Sequence, residues 1–307
     1  GKRLTACHTD YTYTSKAARI ENKEYDLGNG SKKLTVDYCQ RNDYSAKTDR
    51  LLTSTLTVNG KSAVIRRLSY DDLGRIARVG RGTKGSTVDY RYNLHGWPTS
   101  VNSPHFTELL HYTDGVGTPC YNGNISSMLW RATGDEQLRG YKLAYDGLSR
   151  LTDADYGERE TLDNHANRYN EKVLEYTGNG GIKRFQRRGL KDDGEYGKID
   201  NLHVTYDGNQ LKSVTDDALP VNRYSSFNFI DGANEAVEYA YNGVGALTMD
   251  KNRGISSIRY DNLNNPERIA FSDSSSIHYC YAADGTKLRT TYTTAPMGHK
   301  ETIYYRG

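Results

Sequence analysis

Phenylalanine is scarce in this chain, at 5 of 307 residues, and tryptophan and methionine are scarcer still at 2 and 3. The hydrophobic fraction is 36% and the mean hydropathy is −0.81. A thick, dry core is therefore short of material. No apolar run approaches the ~20 residues of a membrane span, and no secretory apolar segment opens the chain. An excess of one charge is missing too. The 41 basic and 38 acidic side chains are interspersed and leave a net charge of +3. That balance argues against a nucleic-acid footprint, which needs a dense basic stripe. Lys183, Arg184, Arg187 and Arg188 read as a solvated strand face or loop, because no phosphate-binding motif accompanies them. Cys7, Cys39, Cys120 and Cys280 form no C-x-x-C pair, so zinc and redox motifs lack support and each thiol reads as a small hydrophobe.

Tyrosine is abundant instead, with 26 copies. Its ring buries a face while its hydroxyl keeps a polar partner, which suits a thin, wetted sheet. The tyrosines recur in a pattern. Tyr70-Asp71-Asp72-Leu73-Gly74-Arg75-Ile76 matches Tyr145-Asp146-Gly147-Leu148-Ser149-Arg150-Leu151. Tyr206-Asp207-Gly208-Asn209 is a shorter version, and Tyr260-Asp261-Asn262-Leu263 keeps the front of it. Looser copies begin at Tyr92, with Gly96; at Tyr241, with Gly245; and at Tyr281, with Gly285. Weak ones begin at Tyr25, Tyr44, Tyr121 and Tyr176. From Tyr70 onward the copies start 19 to 35 residues apart, enough for one hairpin per unit.

Each copy has a mechanical meaning. A run alternating with period two precedes it, as in residues 63–70 and 237–241, and reads as a strand. Residues rich in Asp, Asn and Gly then reverse the chain, and a second alternating run returns. Tyr90 and Tyr92, Tyr239 and Tyr241, and Tyr279 and Tyr281 share a strand face in pairs, which predicts a ladder of stacked rings between units.

At these residues the sequence resembles the YD-repeat family, whose motif is Tyr-Asp-x-x-Gly-Arg-Leu, and its bacterial Rhs branch. The segment Tyr121-Asn122-Gly123-Asn124-Ile125-Ser126 also resembles an Rhs core. The resemblance covers about residues 25–305. It implies an all-β chain of tandem hairpins in a continuous, curved or spiralling antiparallel sheet, part of a shell like those of toxin-complex subunits and teneurins. Residues 1–24 are expected to be a lead-in, an irregular strand at best, before a single array over 25–305 with no separate toxin or catalytic domain. The family's autoproteolytic aspartate segment is not found. A chain this short is expected to be part of a longer wall. The implied role is to enclose or display another polypeptide, a toxin cargo or neighbouring domains of one long protein, in a secreted or cell-surface setting.

A search for chemistry returns structural readings. Gly60-Lys61-Ser62 mimics the tail of a phosphate loop, but Thr55 stands where that motif needs glycine, so Asn59-Gly60 reads as a tight hairpin turn. His105 and His111 flank a stretch where a short helical turn could bring them together, yet zinc wants three or four ligands. Asp71, Asp146, Asp207 and Asp261 fall once per turn, which suits turn formers better than a glycosidase pair. No catalytic set, cofactor or metal site is expected. A second reading is a carbohydrate- or peptide-binding module built on exposed tyrosines.

Overall fold

The computed structural model describes residues 3–26, 33–82, 86–222, 227–296 and 298–305, and every regular element among them is a strand. The first ten are β1 (Arg3–Tyr11), β2 (Ala17–Asp26), β3 (Lys33–Tyr44), β4 (Leu51–Val58), β5 (Lys61–Tyr70), β6 (Ile76–Gly80), β7 (Thr87–Tyr92), β8 (Pro98–Asn102), β9 (Phe106–His111) and β10 (Ser127–Ala132). Then come β11 (Arg139–Tyr145), β12 (Leu151–Glu158), β13 (Glu171–Tyr176), β14 (Ile182–Leu190), β15 (Tyr196–Asp207) and β16 (Gln210–Asp216). The last are β17 (Tyr239–Tyr241), β18 (Leu247–Asp250), β19 (Ile255–Tyr260), β20 (Pro266–Phe271), β21 (Ser276–Tyr281), β22 (Lys287–Thr294) and β23 (His299–Tyr304). Strands β1 to β16 make one sheet and β17 to β23 another, each in chain order. The fold is the all-β succession of antiparallel hairpins that the repeat implies.

The chain divides into two compact units, Gly1–Tyr141 with Glu158–Leu162, and Lys142–Gly157 with Asp163–Gly307. In the first unit β1 pairs with β2 from Arg3↔Asp26 to Tyr11↔Ala17. The stretch expected to be a lead-in thus carries β1 and most of β2, with a shift of register between Asp10 and Tyr11. The helical turn considered near His105 is also corrected. Residues 106–111 are β9, paired with β10, and His105 and His111 sit at its opposite ends.

Burial is thin in both units. Tyr112, Leu129 and Leu162 are buried in the first, and Ala154, Tyr156, Val173, Ile199, Val214 and Val221 in the second. Nine buried apolar side chains among the described residues are few for a chain this long, so polar links between strands carry more of the order. Close backbone approach adds to it. A Cβ on Gly140 would lie 2.2 Å from the Met128 carbonyl oxygen, which only glycine permits.

In the second unit the regular ladder stops between β16 and β17. Glu238 donates its backbone N–H to the Lys212 carbonyl at 2.8 Å, and its carbonyl accepts from Lys251 N at 2.9 Å. Its carboxylate turns inward, so the strand expected over 237–241 begins at Tyr239.

Candidate functional site

The recurring turn begins with an aspartate or asparagine whose short side chain reaches its own backbone. Asp71 Oδ1 accepts from Arg75 N at 2.8 Å, while Asp71 N donates to the Arg75 carbonyl at 2.9 Å and Gly74 N to the Asp71 carbonyl at 2.8 Å. Asp146 Oδ1 accepts from Arg150 N at 3.0 Å. Asn93, Asn242 and Asp261 do the same for Trp97, Ala246 and Asn265 at 3.0, 2.9 and 2.9 Å. The residue two positions before the return strand takes a left-handed conformation in these turns and in the one that opens at Ala282: Gly74, Gly96, Ser149, Gly245, Asn264 and Gly285 have φ between 61° and 83°. This is the turn with a bulge that closes a three-residue hairpin loop. A Cβ at position 74 would meet the Arg50 guanidinium of the preceding turn, the flexible end of a side chain that can shift, so the positive φ is the stricter demand for glycine there.

The arginine of the motif binds backward and forward. Arg75 Nε donates to Asp71 Oδ2 at 2.7 Å, and its Nη1 donates to the Asn93 carbonyl in the next turn at 2.9 Å. Arg150 Nε donates to Asp146 Oδ2 at 2.7 Å. Each guanidinium also covers the tyrosine of the following unit: Arg50 over Tyr70 at 5.5 Å, Arg75 over Tyr92 at 4.7 Å and Arg150 over Tyr176 at 4.4 Å. At position 97 tryptophan replaces arginine and keeps its place, with its ring 5.0 Å from Tyr112 and 4.7 Å from His95. The predicted ladder of stacked rings is thus corrected for these joints, where the rungs are cation on ring or indole on ring.

The tyrosines complete the joint through their hydroxyls. Tyr44 donates to the Ala17 carbonyl at 3.1 Å, Tyr70 to Leu51 at 2.8 Å, Tyr92 to Ile76 at 2.9 Å and Tyr112 to Pro98 at 2.9 Å. Tyr176 donates to the Leu151 carbonyl, Tyr206 to Ile182 at 2.8 Å, Tyr260 to Leu247 at 2.7 Å and Tyr281 to Pro266 at 3.2 Å. Every acceptor named is the first residue of the return strand in the hairpin before. A phenylalanine would bury the same ring and leave that carbonyl unmet, which accounts for the preference for tyrosine. Each hydroxyl bond contributes about 0.5–1.5 kcal/mol and each cation on a ring about 0.5–1 kcal/mol.

Ionisation follows from these contacts. Desolvation opposes the Asp71 anion, but donors from the Arg75 backbone and side chain outweigh it and hold the carboxyl below the ordinary range. Asp146 is held low chiefly by the Arg150 amide, with its guanidinium adding to the effect. Asp261 is held low by the amide and side chain of Asn265. Burial pushes Tyr112, Tyr176, Tyr206 and Tyr281 above the ordinary phenol range, which keeps their hydroxyls protonated and able to donate.

Two motif residues are placed differently. Tyr145 and Tyr241 end β11 and β17 ahead of regular turns, but Asp207 remains in β15, paired with Gln210, and the reversal there falls to Gly208 at φ 60° and Asn209. Tyr121 lies in an irregular segment and is 80% exposed, so it starts no hairpin. Lys183 and Arg187 are paired with Glu175 and Asp200, and Arg188 donates to the Asn167 carbonyl at 2.8 Å. Among the described residues no group of three or more His, Cys, Asp or Glu side chains is placed to hold a metal.

No family model matches the chain, and no curated protein does. Solved structures do. A crystal structure of TcdB2-TccC3 matches with 11% identity over 98% of this chain and a TM-score of 0.58. The same pair without its hypervariable C-terminal region matches over 96%, at 12% identity and a TM-score of 0.57. A Photorhabdus luminescens Tc holotoxin pore gives 12%, 98% and 0.57. The chain spans 14–16% of the length of these neighbours. Their group is the one to which the YD-type turns pointed, and the chain shares the hairpin-repeat fold of these toxin-complex structures.

Proposed function

We propose that this chain is a non-catalytic length of β-repeat wall in a longer secreted protein, and that the wall encloses or displays another polypeptide. One observation carries the reading: turn after turn, the motif residues are consumed in closing each hairpin and in joining it to its neighbour. Asp71, Asp146 and Asp261 are engaged by donors of their own turns, and the tyrosine hydroxyls by backbone carbonyls. Residues spent on joints make a surface and not a reaction centre. The likeness to TcdB2-TccC3 supports a scaffold role on the ground of fold. The carbohydrate-binding reading gains no support, because the motif tyrosines are half-buried and not open platforms.

The test is protease protection in the intact protein that carries this chain. A segment outside the repeats is expected to resist cleavage until denaturant opens the wall, then to be cut within the same transition. Cleavage of every flanking segment at the rate of an unfolded peptide, with the repeats folded, would refute enclosure.

A further inference from the structure

Arg188 and Lys198 stand opposite one another on β14 and β15, a register pair in which both partners are cations. Like charges placed directly opposite destabilise a sheet. The neighbouring charges are already matched: Lys172, in register with Gln186, ion-pairs with Asp153 at 2.7 Å and Asp155 at 3.8 Å, and Arg187 is held by Asp200 at 2.6 Å. Among the described residues no carboxylate ion-pairs with Arg188 or Lys198. Every aspartate and glutamate of the second unit is one of those residues, so no internal counter-charge from this unit is left to find.

The pair lines a cavity of about 390 Å³ together with Asn167, Asn170, Lys172 and Gln186. Asn170 is buried and fixed, its Oδ1 accepting from Tyr156 N at 2.9 Å and its Nδ2 donating to Asp155 and Asn167 at 2.6 and 2.8 Å. Arg188 is held along one edge, where Nε donates to the Asn167 carbonyl at 2.8 Å and Nη2 to the Tyr196 carbonyl at 3.4 Å. The guanidinium plane is thereby set, with Nη1 left to donate outward, and the exposed Lys198 ammonium keeps its three donors. Tyr196, two residues from Lys198 on β15, carries Arg168 over its ring at 4.7 Å, which brings a third cation beside the pair. A like-charge pair that costs stability and is oriented by its neighbours points to a ligand that carries the opposite charge.

We propose that this face of β14 and β15 docks an extended acidic segment of another polypeptide, with one carboxylate seated between Arg188 and Lys198. Both cations are exposed, so the site does not enclose a small acid. A segment that repeats its carboxylates gathers several weak contacts at once. The proposal rests on these cations and not on enclosure, so a wall that encloses nothing leaves it standing.

The probe is a rhodamine-labelled heptapeptide alternating glutamate and serine, titrated with the full chain by fluorescence anisotropy. One control carries glutamine for each glutamate, and a second is a labelled oligothymidylate of equal charge. The glutamate peptide is expected to bind at least tenfold tighter than the glutamine peptide and to weaken as salt is added. Lys198→Gln is expected to reduce its affinity at least fivefold, and Lys198→Arg to restore it. Lys198→Gln should also keep the β-sheet circular dichroism spectrum and raise the urea midpoint, because it removes a like-charge pair. Equal binding of the two peptides, or full affinity in folded Lys198→Gln, would overturn the proposal. A lower urea midpoint in that variant would do the same by giving the lysine a structural role. So would tighter binding of the oligothymidylate, which would make a nucleic acid the occupant.

Discussion

The turn at residues 71–75 and the stretches 217–222 and 227–238 both depend on carboxylates, but they satisfy them over different distances. Asp71 is answered by Arg75, four residues on, and the unit closes on itself before reaching its neighbour. Glu238, with no exposed surface, instead accepts from Val214 N at 2.9 Å and Asn252 Nδ2 at 2.7 Å, while Asp200 accepts from Phe229 N at 2.6 Å. A carboxylate served locally can be copied from unit to unit. One served also by distant groups, as Glu238 is by Val214 and Asn252, belongs to a single place, and this is why the turn recurs while that arrangement does not.

The sharpest way to break the comparison is Glu238→Ala, which leaves the Val214 and Glu235 amides and the Asn252 side chain without their acceptor. A loss of about 3 kcal/mol or more is expected, because buried donors left unpaired cost about 1–3 kcal/mol each. Hydrogen exchange at Val214 should read it directly, and retained protection there would refute the role given to the carboxylate. Arg75→Ala is expected to cost about 1–2 kcal/mol, from a lost forward hydrogen bond and the uncovered Tyr92 ring. Arg150→Ala should cost a similar amount, and the two should add in urea unfolding, since they share no partner. Tyr70→Phe keeps the ring and removes only the hydroxyl, for about 1 kcal/mol. An unchanged midpoint would mean that the Leu51 carbonyl finds water without penalty.

Acid should separate the two regions by sign. Asp71, Asp146 and Asp261 have lowered folded values, so the stability they confer is full above the ordinary carboxylate range and is lost progressively as pH falls from there through those values. Asp216 has a raised value, so its charged form opposes folding, and stability around Asp216 should rise as pH falls through that value. Local hydrogen-exchange protection, taken relative to the intrinsic rate at each pH, should therefore rise around Asp216 on mild acidification before it falls at the turns. The smallest effect belongs to Asp207→Ala. That residue does not close a regular turn, and a change within about 0.5 kcal/mol is expected, as for surface substitutions generally.

Much of the fold was legible because tyrosine, aspartate and glycine fall at fixed offsets, and Asn59-Gly60, with φ of 49° and 79°, makes the tight turn its dipeptide implies. The clasp was legible only in part. The partner of each tyrosine hydroxyl is a backbone carbonyl on Ala17, Leu51, Ile76, Pro98 or another residue, so no side-chain identity announces it. Trp97 was hidden for a related reason, since indole and guanidinium share little beyond a flat face. Asp207 misled in the opposite sense. Its dipeptide matches the motif, but one residue fewer in the loop changes the turn and keeps it in the strand.

The joints have a direction: the arginine of one hairpin reaches toward the C-terminal neighbour, while that neighbour's tyrosine reaches back. A head-to-tail contact of this kind is made between any two successive units and does not itself count them. How far such a ribbon runs is then decided by the count of modules in the gene, and duplication of one module can lengthen it without redesigning any other.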